Sequence, residues 1–353
     1  MKNFIFIAAA ACVALAACTK ETVPATKVET GSISFNVRLV EDDIPSRTLT
    51  AYTTAQDYEK KVNSVQILVF DESGAINMYK NVGTSTSGVV STTVGNKTVW
   101  AVVNGPDLSS IGTLTALKNT SLDLSANTKT TTGGFVMTGD SDCEVIAGEE
   151  NKCGIEVNRL AARVALVSVK NSLPKSYGAI TIDRVFLSNV AGNQAIDGTA
   201  TSSTWYNKEG RADESTRNTA HIINGSTYKA SCPDLTFNAV ATSVNNGASH
   251  SPSTPYLFYT YSNSSETAPN GFSSTFASQR TVLVVAATIG STPYYYPVVL
   301  DEGTIKRNTA YTVSIDITGL GSSDPNMPVQ KDVIDFDIAV KQWLTGSTYE
   351  EVI

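Results

Sequence analysis

No stretch of this chain beyond its first eighteen residues holds a sustained 3.6-residue apolar period; apolar and polar residues alternate in twos instead, as in strands with one buried face. In GSISFNVRLV (31–40), Ile33, Phe35, Val37 and Leu39 form an apolar row against Ser34, Asn36 and Arg38. EDDIPSRTLT follows, and its acidic residues and Pro45 end the strand and leave Arg47 among small polar residues on an expected exposed loop. TLTAYTTAQDYEKK then reads as polar and mobile. In KVNSVQILVF both rows are apolar, Val65, Ile67 and Val69 against Leu68 and Phe70, so this strand is expected at the centre of a sandwich. DESG (71–74) is a turn, with Gly74 free to take positive φ. TVWAVVN, GGFVMTGD, CEVIAG and CGIEVNRLAARVALVSVKN read as strands, and LSSIGTLTALKNTS as a short helix. The last of these strands is long enough to pass between two domains, with a boundary expected near Asn158 to Arg163.

The second half opens with AITIDRVFLSNV and then enters a region rich in Ser, Thr, Asn and Gly (191–255), where short strands or surface function are expected. PYLFYTYS, RTVLVVAATIG, PYYYPVVL and NTAYTVSIDITGLG return at the regular spacing of a β-sandwich. After the linker GSSDPNMPVQ, the tail repeats the opening row: Ile334, Phe336, Ile338 and Val340 alternate as Ile33, Phe35, Val37 and Leu39 do, until the parity slips at Trp343. Two segments with one pattern fit one kind of groove. Burying four such side chains gives ~6 to 12 kcal/mol gross, so a sheet that lost one strand would favour accepting the other, as in donor-strand complementation.

Length adds a domain count: 353 residues suit two domains of roughly 150 each. Net charge is −7, and residues 1–47 carry five basic residues (Lys2, Lys20, Lys27, Arg38, Arg47) and five acidic ones (Glu21, Glu29, Glu41, Asp42, Asp43), so their removal leaves −7. An acidic chain without a basic stripe is repelled by phosphate backbones, which argues against nucleic acid as a partner. The first residues are a targeting segment: Lys2, an apolar run too short for a comfortable membrane span, and Leu15-Ala16-Ala17-Cys18, which has the form of a bacterial lipobox with Cys18 as the lipidated residue. Cys12 leaves with that leader. Cys143 and Cys153 flank an expected hairpin turn at Gly148 to Asn151 and could bond in an oxidising compartment if the strand register brings them face to face. Cys232 reads as a small buried hydrophobe.

The chain resembles the FimA-type fimbrillins, the type V pilin family of Bacteroidia. The likeness is carried by the lipobox at Cys18, the strand followed by SRTL around Arg47, KVNSVQILVFD, TVWAVVNGP, GFVMTGD, VNRLAARVALVSV, PYYYPVVL, IKRNTAYTVSIDITGLGSSDP and IAVKQW; residues 191–255 carry none of these motifs. The resemblance implies an all-β fold of two transthyretin-like β-sandwich domains in tandem with a C-terminal donor-strand segment. It implies an outer membrane lipoprotein precursor, cut by an arginine-specific protease and then polymerised into a cell-surface fimbrium that serves adhesion. On this sequence it places a signal peptide at 1–17, a lipidated propeptide at 18–47 and domains at 48–160 and 161–330. The donor segment follows at 331–353. Lipidation falls on Cys18 and cleavage between Arg47 and Thr48. The removable strand is Ile33, Phe35, Val37 and Leu39, and the donor strand is Ile334, Phe336, Ile338, Val340 and Trp343. The implied partners are other copies of the chain, anchor and tip pilins, the protease, and a host or bacterial surface ligand. Two domains, an available Arg47 and a strand-like tail favour a stalk subunit over an anchor or tip.

Other chemistry finds little support. His221 and His250 lie in polar loop sequence without zinc-ligand spacing, VGNKT lacks the glycine spacing of a phosphate loop, and no GxSxG occurs. Asp140, Asp142 and Glu144 read as a solvated face rather than a calcium site. No cofactor and no catalytic set is expected. The tyrosines at 256–261 and 294–296 are expected to pack on the sandwich, whereas Trp205 and Tyr206 are the candidates for an alternative function, a glycan-binding surface lipoprotein that does not polymerise.

Overall fold

The computed structural model describes residues 28–39, 55–128, 134–199, 202–206, 227–229, 235–237, 240–264, 280–300, 304–325, 327, 329 and 333–342. Over these residues the chain is nearly all β. Its first half holds β1 (Thr30–Leu39), α1 (Asp57–Lys60), β2 (Val65–Asp71), β3 (Ile76–Asn81), β4 (Ser87–Thr93), β5 (Gly95–Val103), α2 (Leu114–Lys118), β6 (Ser121–Asp123), β7 (Met137–Val145) and β8 (Glu150–Arg159). The seven longer strands follow one path, β3-β2-β5-β7-β8-β1-β4. β7 and β8 pair only through Met137 with Arg159 and Thr138 with Asn158. Beyond that point β7 stays with β5 and β8 with β1, so the path divides into two facing layers. Val65, Ile67, Val69, Val99 and Val103 fill the space between them from one side, and Ile33, Phe35, Val37, Val90, Ile155 and Val157 from the other. The double apolar row of β2 has the expected result: Leu68 and Phe70 turn the other way and join a second, larger core.

The second half contributes β9 (Ala162–Asn171) and β10 (Ile180–Ser188), then short strands through the polar region: β11 (Val190–Ala191), β12 (Asn193–Ala195), β13 (Thr204–Tyr206), β14 (Thr227–Lys229), β15 (Thr236–Phe237), β16 (Thr242–Val244) and β17 (Ser249–His250). β18 (Tyr256–Thr260), β19 (Val282–Ile289), β20 (Thr292–Val299), β21 (Thr309–Ile317) and β22 (Ile334–Gln342) complete it. Two sheets dominate, β15-β10-β19-β20 with β16 beside β10, and β17-β9-β21-β22 with β18 beside β9. Their alternate residues, among them Val164, Leu166, Ile182, Val185, Val285, Val313 and Ile315, make up much of the larger core.

Two expectations need adjustment. The single long strand from Cys153 to Asn171 is interrupted at Leu160 and Ala161, where the Leu160 amide donates to the Val136 carbonyl at 3.0 Å. There the chain leaves the layer of β1 and joins that of β21 and β18. The short helix is α2, opened by Thr113, whose side chain accepts from the Ala116 amide. The two halves are closely joined, because Leu68, Phe70, Trp100 and Val102 belong to the larger core and β6 pairs with β12.

Candidate assembly interface

β1 has neighbours on both sides. It runs parallel to β8, with Ser32 to Leu39 opposite Glu150 to Val157, and antiparallel to β4, with Thr30 to Asn36 opposite Thr93 to Ser87. Its apolar row fills the core: Ile33 is 0 % exposed, Phe35 2 % and Val37 4 %, with Leu39 packed at the margin. These three burials contribute roughly 5 to 9 kcal/mol gross. Gly88 on β4 leaves room for the Phe35 ring, since a Cβ there would lie 3.0 Å from Cζ. The Asn151 side chain donates to the Ser32 carbonyl at 2.9 Å, and the Val37 amide to the Thr86 carbonyl at 2.7 Å. Without β1, residues 150–157 of β8 lose their strand neighbour, and so does β4.

β22 is placed differently. Among the described residues it pairs only with β21, from Ile334 opposite Ile317 to Gln342 opposite Thr309, and stands at the edge of its sheet. Ile334 is buried and Ile338 partly so, but Phe336 and Val340 are each 40 % exposed. An apolar row left half in water on an unpaired edge is a template for another chain. Trp343, Cys18, Arg47 and Thr48 lie outside the described residues.

Within the segment expected to be polar and mobile, the described part is instead clamped through α1. Glu59 is fully buried, and its Oε2 meets Arg163 Nη1 at 2.9 Å while its Oε1 accepts from the Tyr259 hydroxyl. Its carbonyl accepts from Arg159 Nε at 3.1 Å, and Arg159 Nη1 donates to Asn308 Oδ1 at 3.3 Å. The Tyr58 and Tyr259 hydroxyls are 2.6 Å apart. Burial lowers the Arg159 pKa to about 10, with Glu59 opposing the shift; burial, and then the Glu59 carboxylate, pushes the Tyr259 hydroxyl far up. Removing one member of such a buried ionic group costs about 3 to 5 kcal/mol, because its partner stays behind unneutralised. Residues 58, 59, 159, 163, 259 and 308 thus tie the start of the first half to the second. Nothing in DYEKK signalled this, since its partners are about a hundred or more residues away.

The remaining candidates are also located. Trp205 and Tyr206 are buried, at 4 % and 1 % exposure, so they are core residues and not an exposed sugar platform, and the glycan-binding reading loses its carriers. Tyr206 donates to Asp123 Oδ1 at 2.7 Å. Tyr259, Tyr261 and Tyr296 are buried, as packing tyrosines should be. His250 is half-buried, with Nε2 3.1 Å from the Tyr256 hydroxyl; His221 and Cys232 lie outside the described residues. Asp140, Asp142 and Glu144 are exposed along β7. Cys143 and Cys153 both carry free thiols.

Residues 32–217 match the family model of the major fimbrial subunit protein (FimA). Among solved structures, a fimbrilin from Porphyromonas gingivalis W83 superimposes with a TM-score of 0.63 at 16% identity, covering 91% of this chain and 100% of its own. A protein assigned to cell adhesion from Bacteroides eggerthii DSM 20697 gives 0.62 at 20% identity, covering 90% and 97%. A C-terminally truncated tip fimbrial protein of Porphyromonas gingivalis gives 0.50 at 13%, covering 89% and 100%. No curated protein matches. The fold is therefore the β-sandwich fold of fimbrilins. The chain belongs to the major fimbrial subunit (FimA) family, which implies assembly with other fimbrial subunits at the cell surface and a structural, adhesive role.

Proposed function

We propose that this chain is a stalk subunit that polymerises by exchanging β1 for the β22 of a neighbouring copy. The observation that carries the reading is the contrast between two like rows: Ile33, Phe35 and Val37 are sealed between β8 and β4, while Phe336 and Val340 stand half in water. In this reading the precursor is lipidated on Cys18 and exported to the outer membrane. An arginine-specific protease then cuts between Arg47 and Thr48, in polar sequence of the kind that is accessible to proteases. One cut frees the chain from its lipid and from β1 together. The domains are 48–160 and 161–330, and the donor is the segment from Ile334 to Trp343, with anchor and tip pilins at the filament ends and a host or bacterial surface ligand.

The energetics support a direct exchange. β22 gives up a one-sided pairing with β21 and gains two-sided pairing with β8 and β4. Placed register for register, Ile334 takes the position of Ile33, Phe336 that of Phe35, Ile338 that of Val37 and Val340 that of Leu39. Asp335 then replaces Ser34, whose partner on β8 is Lys152, and brings a negative charge beside a positive one.

The test is the N-terminal residue of surface-assembled subunits, with Arg47→Ala alongside. Thr48 as the N-terminus and loss of filaments in the variant are expected; a lipidated Cys18 in assembled subunits, or normal filaments from Arg47→Ala, would contradict the reading.

A further inference from the structure

Cys143 and Cys153 stand on strands that part company. β7 and β8 pair at Met137 to Thr138 and Asn158 to Arg159, then diverge into the two layers, β7 with β5 and β8 with β1, before the turn at 146–149 joins them again. Alternate residues of both strands face the core between the layers: Met137, Cys143 and Val145 from β7, and Cys153, Ile155 and Val157 from β8. The register set by Met137 opposite Arg159 and Thr138 opposite Asn158, carried along the two strands, puts Cys143 opposite Cys153 at one margin of that core, the first half-buried and the second buried. Cys153 is also the β8 partner of Phe35 on β1, and with Gly88 and Gly154 it lines the surface cleft beside that strand. The pair therefore sits between the layers and beside the seat of β1.

We propose that Cys143 and Cys153 are an oxidative modification site whose disulfide staples the two layers together beside the groove. The oxidant is a disulfide, carried by a thiol–disulfide oxidoreductase or a small molecule. The thiolate of Cys143, the more exposed of the two, attacks it; one sulfur leaves as a thiol and Cys143 holds a mixed disulfide. The Cys153 thiolate then attacks the Cys143 sulfur and expels the second thiol. Two protein thiols lose two electrons and two protons, and the oxidant disulfide takes up both as a dithiol. Burial raises the Cys153 pKa to about 11, which makes it the slower partner and the resolving one.

The staple matters most when β1 is absent, because residues 150–157 of β8 then lose the strand they pair with. A bond from Cys153 to β7 would hold that side of the groove in place for an incoming strand. The site itself does not depend on strand exchange, and the proposal goes beyond it: exchange without the bond, or the bond without exchange, are separable outcomes.

The full chain incubated with oxidised glutathione, then denatured, alkylated and peptide-mapped without reduction, should yield one linked pair containing Cys143 and Cys153, with neither cysteine alkylated. Alkylation of both after oxidation, or linkage of either to Cys232 or to another chain, would overturn the proposal. In thermal melts the oxidised chain should exceed the reduced chain by roughly 5 °C, as a short closed loop gives. Cys143→Ser and Cys153→Ser, each close in size to the native residue, should melt alike with and without oxidant. Equal midpoints for the oxidised and reduced native chain, with the link present, would show that it does not fasten the layers.

Discussion

β1 and β22 carry almost the same apolar row and have opposite surroundings. I-S-F-N-V-R-L at 33–39 is enclosed by strands on both sides and by a core beneath, whereas I-D-F-D-I-A-V at 334–340 has one strand neighbour among the described residues and leaves Phe336 and Val340 in contact with water. The difference teaches that alternation specifies a strand's shape but not its occupancy. The same row is satisfied where a groove surrounds it and remains available where a sheet ends. In the proposed reading, a subunit that holds one satisfied copy and one unsatisfied copy is stable alone and ready to join another.

The largest effect should come from removing the unsatisfied copy. Truncation after Gln330 should abolish filaments while leaving a soluble, folded monomer, as read by electron microscopy and circular dichroism; filaments from the truncated chain would break the comparison. Phe35→Ala should destabilise the precursor by about 3 to 5 kcal/mol in denaturant unfolding, as for a fully buried ring. Its counterpart sharpens the contrast. Phe336→Ala should cost the monomer only about 1 kcal/mol or less, since its ring is 40 % exposed, yet lower filament yield at least about tenfold if that ring becomes buried on assembly. Equal destabilisation of the monomer by the two substitutions would remove the asymmetry. A smaller effect than that of Phe35→Ala is expected at Gly88→Ala, where the new Cβ would press on the Phe35 ring at 3.0 Å and cost the precursor roughly 1 to 2 kcal/mol in the same unfolding measurement.

Much of this architecture was legible in the residues. Period-two rows gave β1, β2 and β22, the double row of β2 placed it between two cores, and DESG made its turn, with Gly74 at φ 79°. What the sequence withheld depends on closure in three dimensions. The break at Leu160 and Ala161 falls inside an unbroken apolar pattern, because the chain changes neighbours without changing its local preferences. Trp205 and Tyr206 lie in polar surroundings in sequence but under other elements in space. The burial of Glu59 is set by Arg159, Arg163 and Tyr259, far along the chain. The room above Gly88 is likewise visible only once Phe35 is laid against it. For the assembly interface, the matching rows were readable and their unequal exposure was not.

The central claim is that the tail of one molecule occupies the seat of β1 in the next. It is tested most directly by a disulfide trap pairing Val90→Cys with Ile334→Cys, because Val90 is the β4 partner of Ile33, whose place Ile334 would take. Oxidised filaments of the double variant should run as a covalent ladder on a non-reducing denaturing gel and collapse to monomer on reduction, while each single variant gives no ladder. Filaments of the double variant that form normally yet remain monomeric on that gel after oxidation would contradict the account.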